Sequence, residues 1–256
     1  MSLILVTGST DGIGARIAEL LAKQGHEVVR HARDEARADG CRDATGADVV
    51  VGDLAVLDST RAMAAALTRR GRFDVVVHNA GWAPRDSVRP VTVDGLEQTF
   101  QVNALAAYLL TALMPVPRRL VWVSSDSIRR GVIDVDDLQH ESMWTPDSAY
   151  ADSKLAMTAI AFAVARRYPS VPSNAVHPGW VRTKMSGHEA PLDVDAGADT
   201  PVWLATSDDP AATGTGAFFQ RRRQIRLNPV AYRTDIQDAL VEQCTMLTGA
   251  QLRSKP

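Results

Sequence analysis

The sequence predicts one doubly wound α/β domain, 1–256, with a parallel sheet of about seven strands and helices on both faces. Three observations carry that expectation. Short valine-rich runs alternate with longer amphipathic stretches through the first 220 residues, as in a parallel sheet covered by helices. A glycine-rich segment joins the first run to the first amphipathic stretch. No linker, repeat or low-complexity tract interrupts the 256 residues, a length that suits one large core.

The elements follow in order. Leu3–Thr7 reads as the first strand and Gly12–Gly25 as the helix after it. Glu27–His31, Asp48–Val51 and Asp74–His78 are the second, third and fourth strands, and valine-rich strands buried on both faces need no polar alternation. Asp58–Arg70 has the alanine content and length of a helix, with Asp58 or Ser59 as its cap. Val93–Leu113 is another helical stretch, Leu120–Ser124 the fifth strand, and Ser148–Arg167 a long helix closed by Tyr168-Pro169. Ser173–His177 and Ala217–Gln220 complete the strands. Thr183–Pro201 reads as polar loop, residues 221–256 carry no assigned element, and 183–256 is the variable, substrate-side region.

Composition excludes several classes of function. Lys plus Arg number 28 and Asp plus Glu 30, so no global charge draws the chain to nucleic acid or anionic membrane. Arg221, Arg222 and Arg223 form the main basic run, read as a solvated surface. No apolar stretch approaches the roughly 20 residues that span a bilayer, and the short apolar start lacks the basic leader of a signal peptide. Two cysteines, Cys41 and Cys244, lie far apart and suit a reducing compartment, so cytoplasm is the expected location. The histidines at 26, 31, 78, 140, 177 and 188 show no metal spacing, and no metal is expected.

Thr7-Gly8-Ser9-Thr10-Asp11-Gly12-Ile13-Gly14 ends the first strand and opens the first helix. Glycines there let the backbone turn tightly and approach a pyrophosphate, whose charge a helix N-terminus favours. By itself the GxxxGxG spacing also fits a glycine-rich turn with no ligand.

This loop resembles the cofactor loop of the short-chain dehydrogenase/reductase family, and further motifs of that family follow in order. Asp53-Leu54 looks like the pair that contacts the adenine, and Asn79-Ala80-Gly81 like the element that lines the cofactor cleft. Asn103 sits where the family carries a catalytic asparagine; Tyr150-Ala151-Asp152-Ser153-Lys154 is similar to its YxxxK signature. Pro178-Gly179-Trp180-Val181-Arg182-Thr183 resembles the segment beside the nicotinamide. The resemblance covers roughly residues 3–219 and implies a Rossmann-type fold, a homodimer or homotetramer, and cofactor contacts at Gly8, Ser9, Thr10, Gly12, Ile13, Gly14, Asp53, Leu54, Asn79, Ala80, Gly81, Tyr150, Lys154, Pro178, Gly179, Val181 and Thr183.

NADP(H) is the expected cofactor, with NAD(H) as the alternative. The second strand runs into Ala32-Arg33, where an NAD site commonly places a carboxylate on the ribose 2′-hydroxyl. A guanidinium at Arg33 is shaped to receive a 2′-phosphate, with an ordinary exposed arginine as the lesser reading. Asp11 beside the loop is the opposing consideration.

The resemblance implies Asn103, Ser125, Tyr150 and Lys154 as the catalytic set. Tyr150 and Lys154 lie one helical turn apart, and a tyrosine titrating near 10 needs roughly 4 kcal/mol to move about three units. Lys154 and the oxidised nicotinamide are expected to favour its phenolate. Tyr150 then exchanges a proton with the substrate oxygen, Lys154 holds the nicotinamide ribose, and Asn103 holds a water of a proton relay. Ser125 is the serine expected to bond the substrate oxygen, with Ser127 as runner-up. Ile128 stands where the family has glycine, and Arg129–Thr145 reads as an insertion resembling that of the retinol-dehydrogenase-like branch. The expected function is therefore hydride transfer between NADP(H) and a small carbonyl or alcohol. A silent nucleotide sensor or scaffold is the alternative, and an extended-branch epimerase, which needs a longer C-terminal substrate domain, the third reading.

Overall fold

The computed structural model describes residues 1–186 and 189–253; His188, among the histidines read as structural, lies outside the described residues. The strands are β1 (Leu3–Val6), β2 (Glu27–Ala32), β3 (Asp48–Val51), β4 (Val75–His78), β5 (Arg119–Val123), β6 (Ser173–Val176), β7 (Phe218–Gln220) and β8 (Arg223–Ile225). They form one sheet in the order β3-β2-β1-β4-β5-β6-β7-β8. Pairing is parallel up to β7, while β7 and β8 run antiparallel with Phe218 opposite Ile225. The expected seven strands are thus joined by an eighth. Its hairpin turns at Arg221 and Arg222, both at positive φ (50° and 58°), a conformation normally supplied by Asn or Gly.

The helices are α1 (Gly12–Lys23), α2 (Glu35–Thr45), α3 (Leu57–Thr68), α4 (Gln98–Phe100), α5 (Ala106–Leu113), α6 (Pro146–Arg167), α7 (Val194–Thr206), α8 (Pro210–Thr213) and α9 (Thr234–Thr248). On one sheet face Leu5, Val29, Val76 and Trp122 pack against α3, α5 and α6. On the other, Ile4, Val6 and Val121 meet Ile17 and Leu21 of α1 and Val202 and Leu204 of α7. Each such side chain contributes about 1.5–3 kcal/mol on full burial.

Several expectations are corrected. The helix expected from Val93 starts only at Gln98, because Gly95 turns at φ +78° and Thr92 N–H bonds the Leu96 carbonyl before it. Neither Asp58 nor Ser59 caps α3. Val56 occupies that place, Asp94 Oδ2 receives the Leu57 N–H at 2.8 Å, and Ser59 Oγ receives that of Asp53. The stretch expected as loop over Thr183–Pro201 gives way to helix from Val194, where Asp193 caps α7 by accepting from Ala196 N–H. Gly197 and Pro201 disguise that helix in the sequence; at Gly197 a Cβ would stand 2.8 Å from Val181 Cγ2. Helices α2, α8 and α9 are additions.

Candidate active site

The C-terminal ends of the strands open onto a cleft of about 690 Å³, within the usual range for ligand pockets. It lies where the strand order reverses between β1 and β4, the place an open α/β sheet offers to ligands.

The loop from β1 into α1 forms one wall. Gly8 sits at φ +62°, and a Cβ there would lie 2.8 Å from Ala80 Cα; at Gly14 it would lie 2.3 Å from both Asn79 Nδ2 and the Gly8 carbonyl oxygen. Asn79 Nδ2 donates to the carbonyls of Thr7 (2.9 Å) and Gly8 (3.1 Å), and Thr7 Oγ1 receives the N–H groups of Asn79 and Ala80. The loop is therefore locked to the end of β4, leaving Gly8, Thr10, Gly12, Ile13, Gly14, Asn79, Ala80 and Gly81 on the cleft. Ser9 is not on the lining. Its Oγ donates to the Val6 carbonyl at 2.7 Å and receives His31 N–H at 2.9 Å.

His31 is a site-building residue that the sequence reading left among the structural histidines. Gly8 N–H donates to its Nδ1 at 2.8 Å, which leaves Nε2 to donate to the Gly52 carbonyl at 2.7 Å. Burial holds the ring below the ordinary histidine value, in the neutral form this arrangement requires.

Asp53, Leu54 and Arg33 line the same end of the cleft, joined by Arg37 and Lys184, which the sequence did not disclose. Arg33 is 62% exposed and donates to Asp34 Oδ2 at 3.1 Å. Arg37 lies on α2, whose cap Asp34 accepts its N–H. Asp11, the carboxylate that weighed against a 2′-phosphate, pairs with Lys184 at 2.5 Å, and that bond is the main reason its acid strength rises.

The opposite wall is α6, started by Pro146 and by a reciprocal cap between Thr145 and Ser148. Tyr150 and Lys154 both reach the lining. Ser124 Oγ bonds Thr158 Oγ1 at 2.8 Å and the Lys154 carbonyl at 3.2 Å, fastening α6 to the end of β5. Lys154 Nζ is buried and donates to the Val123 carbonyl at 2.9 Å; burial brings its pKa down to about 8. Among the chain's own groups the net pull on the Tyr150 hydroxyl is upward. Burial pushes it up, Ser125 pulls it back by hydrogen bonding, and Asp126 raises it further.

Of the two candidate serines, Ser125 is the one whose hydroxyl bears on the acidity of Tyr150, although Ser124 and not Ser125 lines the cleft. Ser127 donates its main-chain N–H to Ser125 Oγ at 3.2 Å, while its own Oγ is buried without a partner among the described residues. Asn103 occupies a π-helical turn, Gln101–Leu105, a geometry frequent at functional sites. It is fully buried, receives Trp82 N–H on Oδ1 at 2.7 Å, and donates to the Trp82 carbonyl and Ser153 Oγ at 2.9 Å. These bonds fix the main chain after Gly81, where a Cβ would stand 3.1 Å from Lys154 Nζ. Pro178 and Thr183 line the cleft, whereas Gly179 and Val181 lie behind it. A Cβ on Gly179 would meet Leu192 Cδ1 at 2.4 Å, and Val181 packs beside Gly197.

The residues present fit a dinucleotide. Bare backbone at Gly12 and Gly14 opens the first turn of α1 to a phosphate, and cationic side chains gather beyond it.

Comparison with known proteins places this geometry. The family description Enoyl-(Acyl carrier protein) reductase matches residues 8–207. An uncharacterised oxidoreductase of Emericella nidulans is 36% identical over 97% of this chain and 98% of its own length. Short-chain dehydrogenase chry4 of Gibberella zeae is 34% identical over 99% and 100%, and mouse retinol dehydrogenase 14 is 31% identical over 96% and 85%. Among solved structures, an uncharacterised protein of Mycobacterium paratuberculosis superposes with a TM-score of 0.85 at 28% identity, covering 99% and 95%. A Shigella flexneri chain assigned to the short chain dehydrogenases and complexed with NADP superposes at 0.66 with 28% identity, covering 85% and 95%. With glycine loop, Asn79-Ala80-Gly81 and Tyr150/Lys154 converging on one cleft in a chain so matched, this protein belongs to the short-chain dehydrogenase/reductase family.

Proposed function

We propose that the chain transfers a hydride between NADP(H) and a small carbonyl or alcohol substrate, with Tyr150 as general acid/base. The observation that carries this reading is the meeting of Tyr150 and Lys154 with the glycine loop on a single cleft. Retinol dehydrogenase among the relatives and an NADP complex among the structural neighbours support it. Gly8, Thr10, Gly12, Ile13 and Gly14 would hold the pyrophosphate, Asp53 and Leu54 the adenosine, and Lys154 the nicotinamide ribose. Arg33, with Arg37, would take the 2′-phosphate. When bound, the nicotinamide supplies or accepts the hydride.

The protein's own groups manage the proton. The Tyr150 hydroxyl, held protonated by burial, is a donor suited to a carbonyl oxygen as negative charge develops there. Ser125 offers that oxygen a second hydrogen bond. In the reverse direction Tyr150 must first lose its proton, so alcohol oxidation rises with pH while carbonyl reduction does not. Cytoplasmic placement belongs to this reading; no described helix is long and apolar enough to cross a membrane. A homodimer or homotetramer would have to use a surface other than the outer faces of α5 and α6 that α9 covers.

A screen of NADPH oxidation over aldehydes, ketones and quinones tests the activity, with Tyr150→Phe beside the wild type. The expected result is turnover in the wild type and a loss of about 10²–10⁴-fold in the variant with NADPH binding intact. Near-normal turnover in Tyr150→Phe overturns the mechanism. A wild type that binds NADPH and reduces nothing makes the chain a nucleotide sensor instead.

A further inference from the structure

His177 follows β6 directly, its side chain only 7% exposed. Its main chain stays in the sheet, where its N–H donates to the Phe219 carbonyl at 2.9 Å. Its ring does something else. Nδ1 receives the main-chain N–H of Asp126 at 3.1 Å, so the ring proton lies on Nε2, which stands 3.7 Å from Asp126 Oδ1.

That bond lands on the segment that carries Ser125. The last regular rung between β5 and β6 is Ser124 N–H on the Val176 carbonyl at 2.8 Å. Beyond it the chain leaves the sheet, and the next anchor is Asp126 N–H on His177 Nδ1. Ser125 is thus suspended between two fixed points, both supplied by the end of β6. An imidazole here takes the place of a main-chain carbonyl, and the residue after it, Pro178, lines the cleft. Unlike a carbonyl, this acceptor titrates. The charged and titratable groups that face it are Asp126, one helical turn on Arg129, and across Asp126 the Tyr150 hydroxyl. Burial keeps the ring below the ordinary histidine value, Asp126 opposes this and Arg129 adds to it. A proton on Nδ1 would set donor against donor and release Asp126.

We propose that His177 is a positioning residue: its neutral ring holds Ser125 against Tyr150, and its protonation frees the serine, giving turnover an acid limb that belongs to His177. The proposal rests on Ser125 and Tyr150 acting as the pair described above.

The test is kcat against pH for the wild type, His177→Asn, His177→Leu and Ser125→Ala, with NADPH affinity as the check on folding. Asparagine sets an amide oxygen near the place of Nδ1 and does not titrate; leucine removes the acceptor. The wild type should lose about tenfold in kcat per pH unit below the titration of His177. His177→Asn should keep kcat within about threefold at neutral pH and lack that limb, while His177→Leu falls on the order of 10²-fold at every pH. Adding His177→Leu to Ser125→Ala should cost nothing further, since both act through one hydrogen bond. An acid limb that persists unchanged in His177→Asn, or a His177→Leu enzyme with normal kcat beside a crippled Ser125→Ala, overturns the proposal alone. Normal kcat in Ser125→Ala overturns the reading beneath it as well.

Discussion

Ser125 and Ser127 are two residues apart and joined by a hydrogen bond, yet their hydroxyls have opposite fates. Ser125 Oγ accepts the Ser127 N–H and bears on the acidity of Tyr150; Ser127 Oγ is buried with no partner among the described residues. Ser125→Ala should cost on the order of 10²-fold in kcat through one lost transition-state hydrogen bond. Ser127→Ala removes an unsatisfied polar atom and should leave kcat unchanged and stability equal or higher. Steady-state kinetics and denaturant melts of the two variants decide this, and a crippled Ser127→Ala would mean the serine is misassigned. At the far end of the cleft, Arg33→Ala should weaken NADPH about tenfold and leave NADH unchanged, because only the phosphate ester engages the guanidinium. Fluorescence titration of both cofactors measures it; equal affinities in both proteins would make Arg33 an ordinary surface residue. At this scale the sequence was legible wherever backbone geometry dictates residue type. Gly8 and Gly14 have no room for a side chain, and Tyr150 and Lys154 must share a helical face. Arg37 and Lys184 were not legible, since nothing in their own spacing brings them to the cleft. Nor could spacing show that Ser9, Gly179 and Val181 turn away from it.

Elements were legible where burial on both faces imposes a valine run, as in β3 and β4, and where capping is explicit. They were not where stability comes from partners distant in sequence. Helix α2 buries only Ala38 and Cys41 and contains Gly40, so its pattern is faint. Helix α9 turns Gln237, Leu240, Cys244 and Thr248 inward, a thin stripe that gains meaning only from what it meets. Arg166 Nε donates to Gln237 Oε1 at 2.8 Å, and Tyr108 bonds Thr245 Oγ1 at 2.7 Å and the Ala250 carbonyl at 2.9 Å. Helix α9 thereby clasps α5 and α6 from outside, remote from the cleft lining. Leu240→Ala should lower the unfolding free energy by about 2–5 kcal/mol, as for a large-to-small change at a fully buried site. Its KM and kcat should not move at temperatures where it is folded. Denaturant melts beside kinetics would show it, and a changed KM with unchanged stability would tie α9 to the site instead.

At the scale of the whole molecule, the order of motifs made the topology legible, while its acid-base behaviour arises only on folding. His31 near the end of β2, His78 at the end of β4 and His177 just past β6 share the sheet's C-terminal edge, and burial is the first cause that holds each below its ordinary value, His78 at about 3. His78 lies against Trp122 with ring centroids 4.4 Å apart. Its Nε2 donates to Thr111 Oγ1 at 3.0 Å, because that hydroxyl already donates to the Ala107 carbonyl. Below pH 6.5 the unfolded chain binds protons at these rings that the folded chain refuses, so stability falls as pH falls. Each ring removes about 1.4 kcal/mol per pH unit until its own folded value is reached. Lys154 acts on the alkaline side with the same sign. Between about 8, its folded value, and the ordinary lysine range near 10.4, the unfolded chain again holds the extra proton and this group's contribution rises with pH, while the buried Cys244 thiol, pushed up by burial, acts with the opposite sign. The protein should therefore unfold steeply with acid below pH 6.5. His78→Phe, which keeps a ring against Trp122 and leaves Thr111 bonded to Ala107, should make that acid slope shallower by about one proton. Lys154→Met should remove the positive contribution, making the slope above pH 8 more negative than in the wild type by up to about one proton. Denaturant melts from pH 4.5 to 10 measure both slopes, and an acid slope identical in wild type and His78→Phe would show that His78 accepts its proton within the fold.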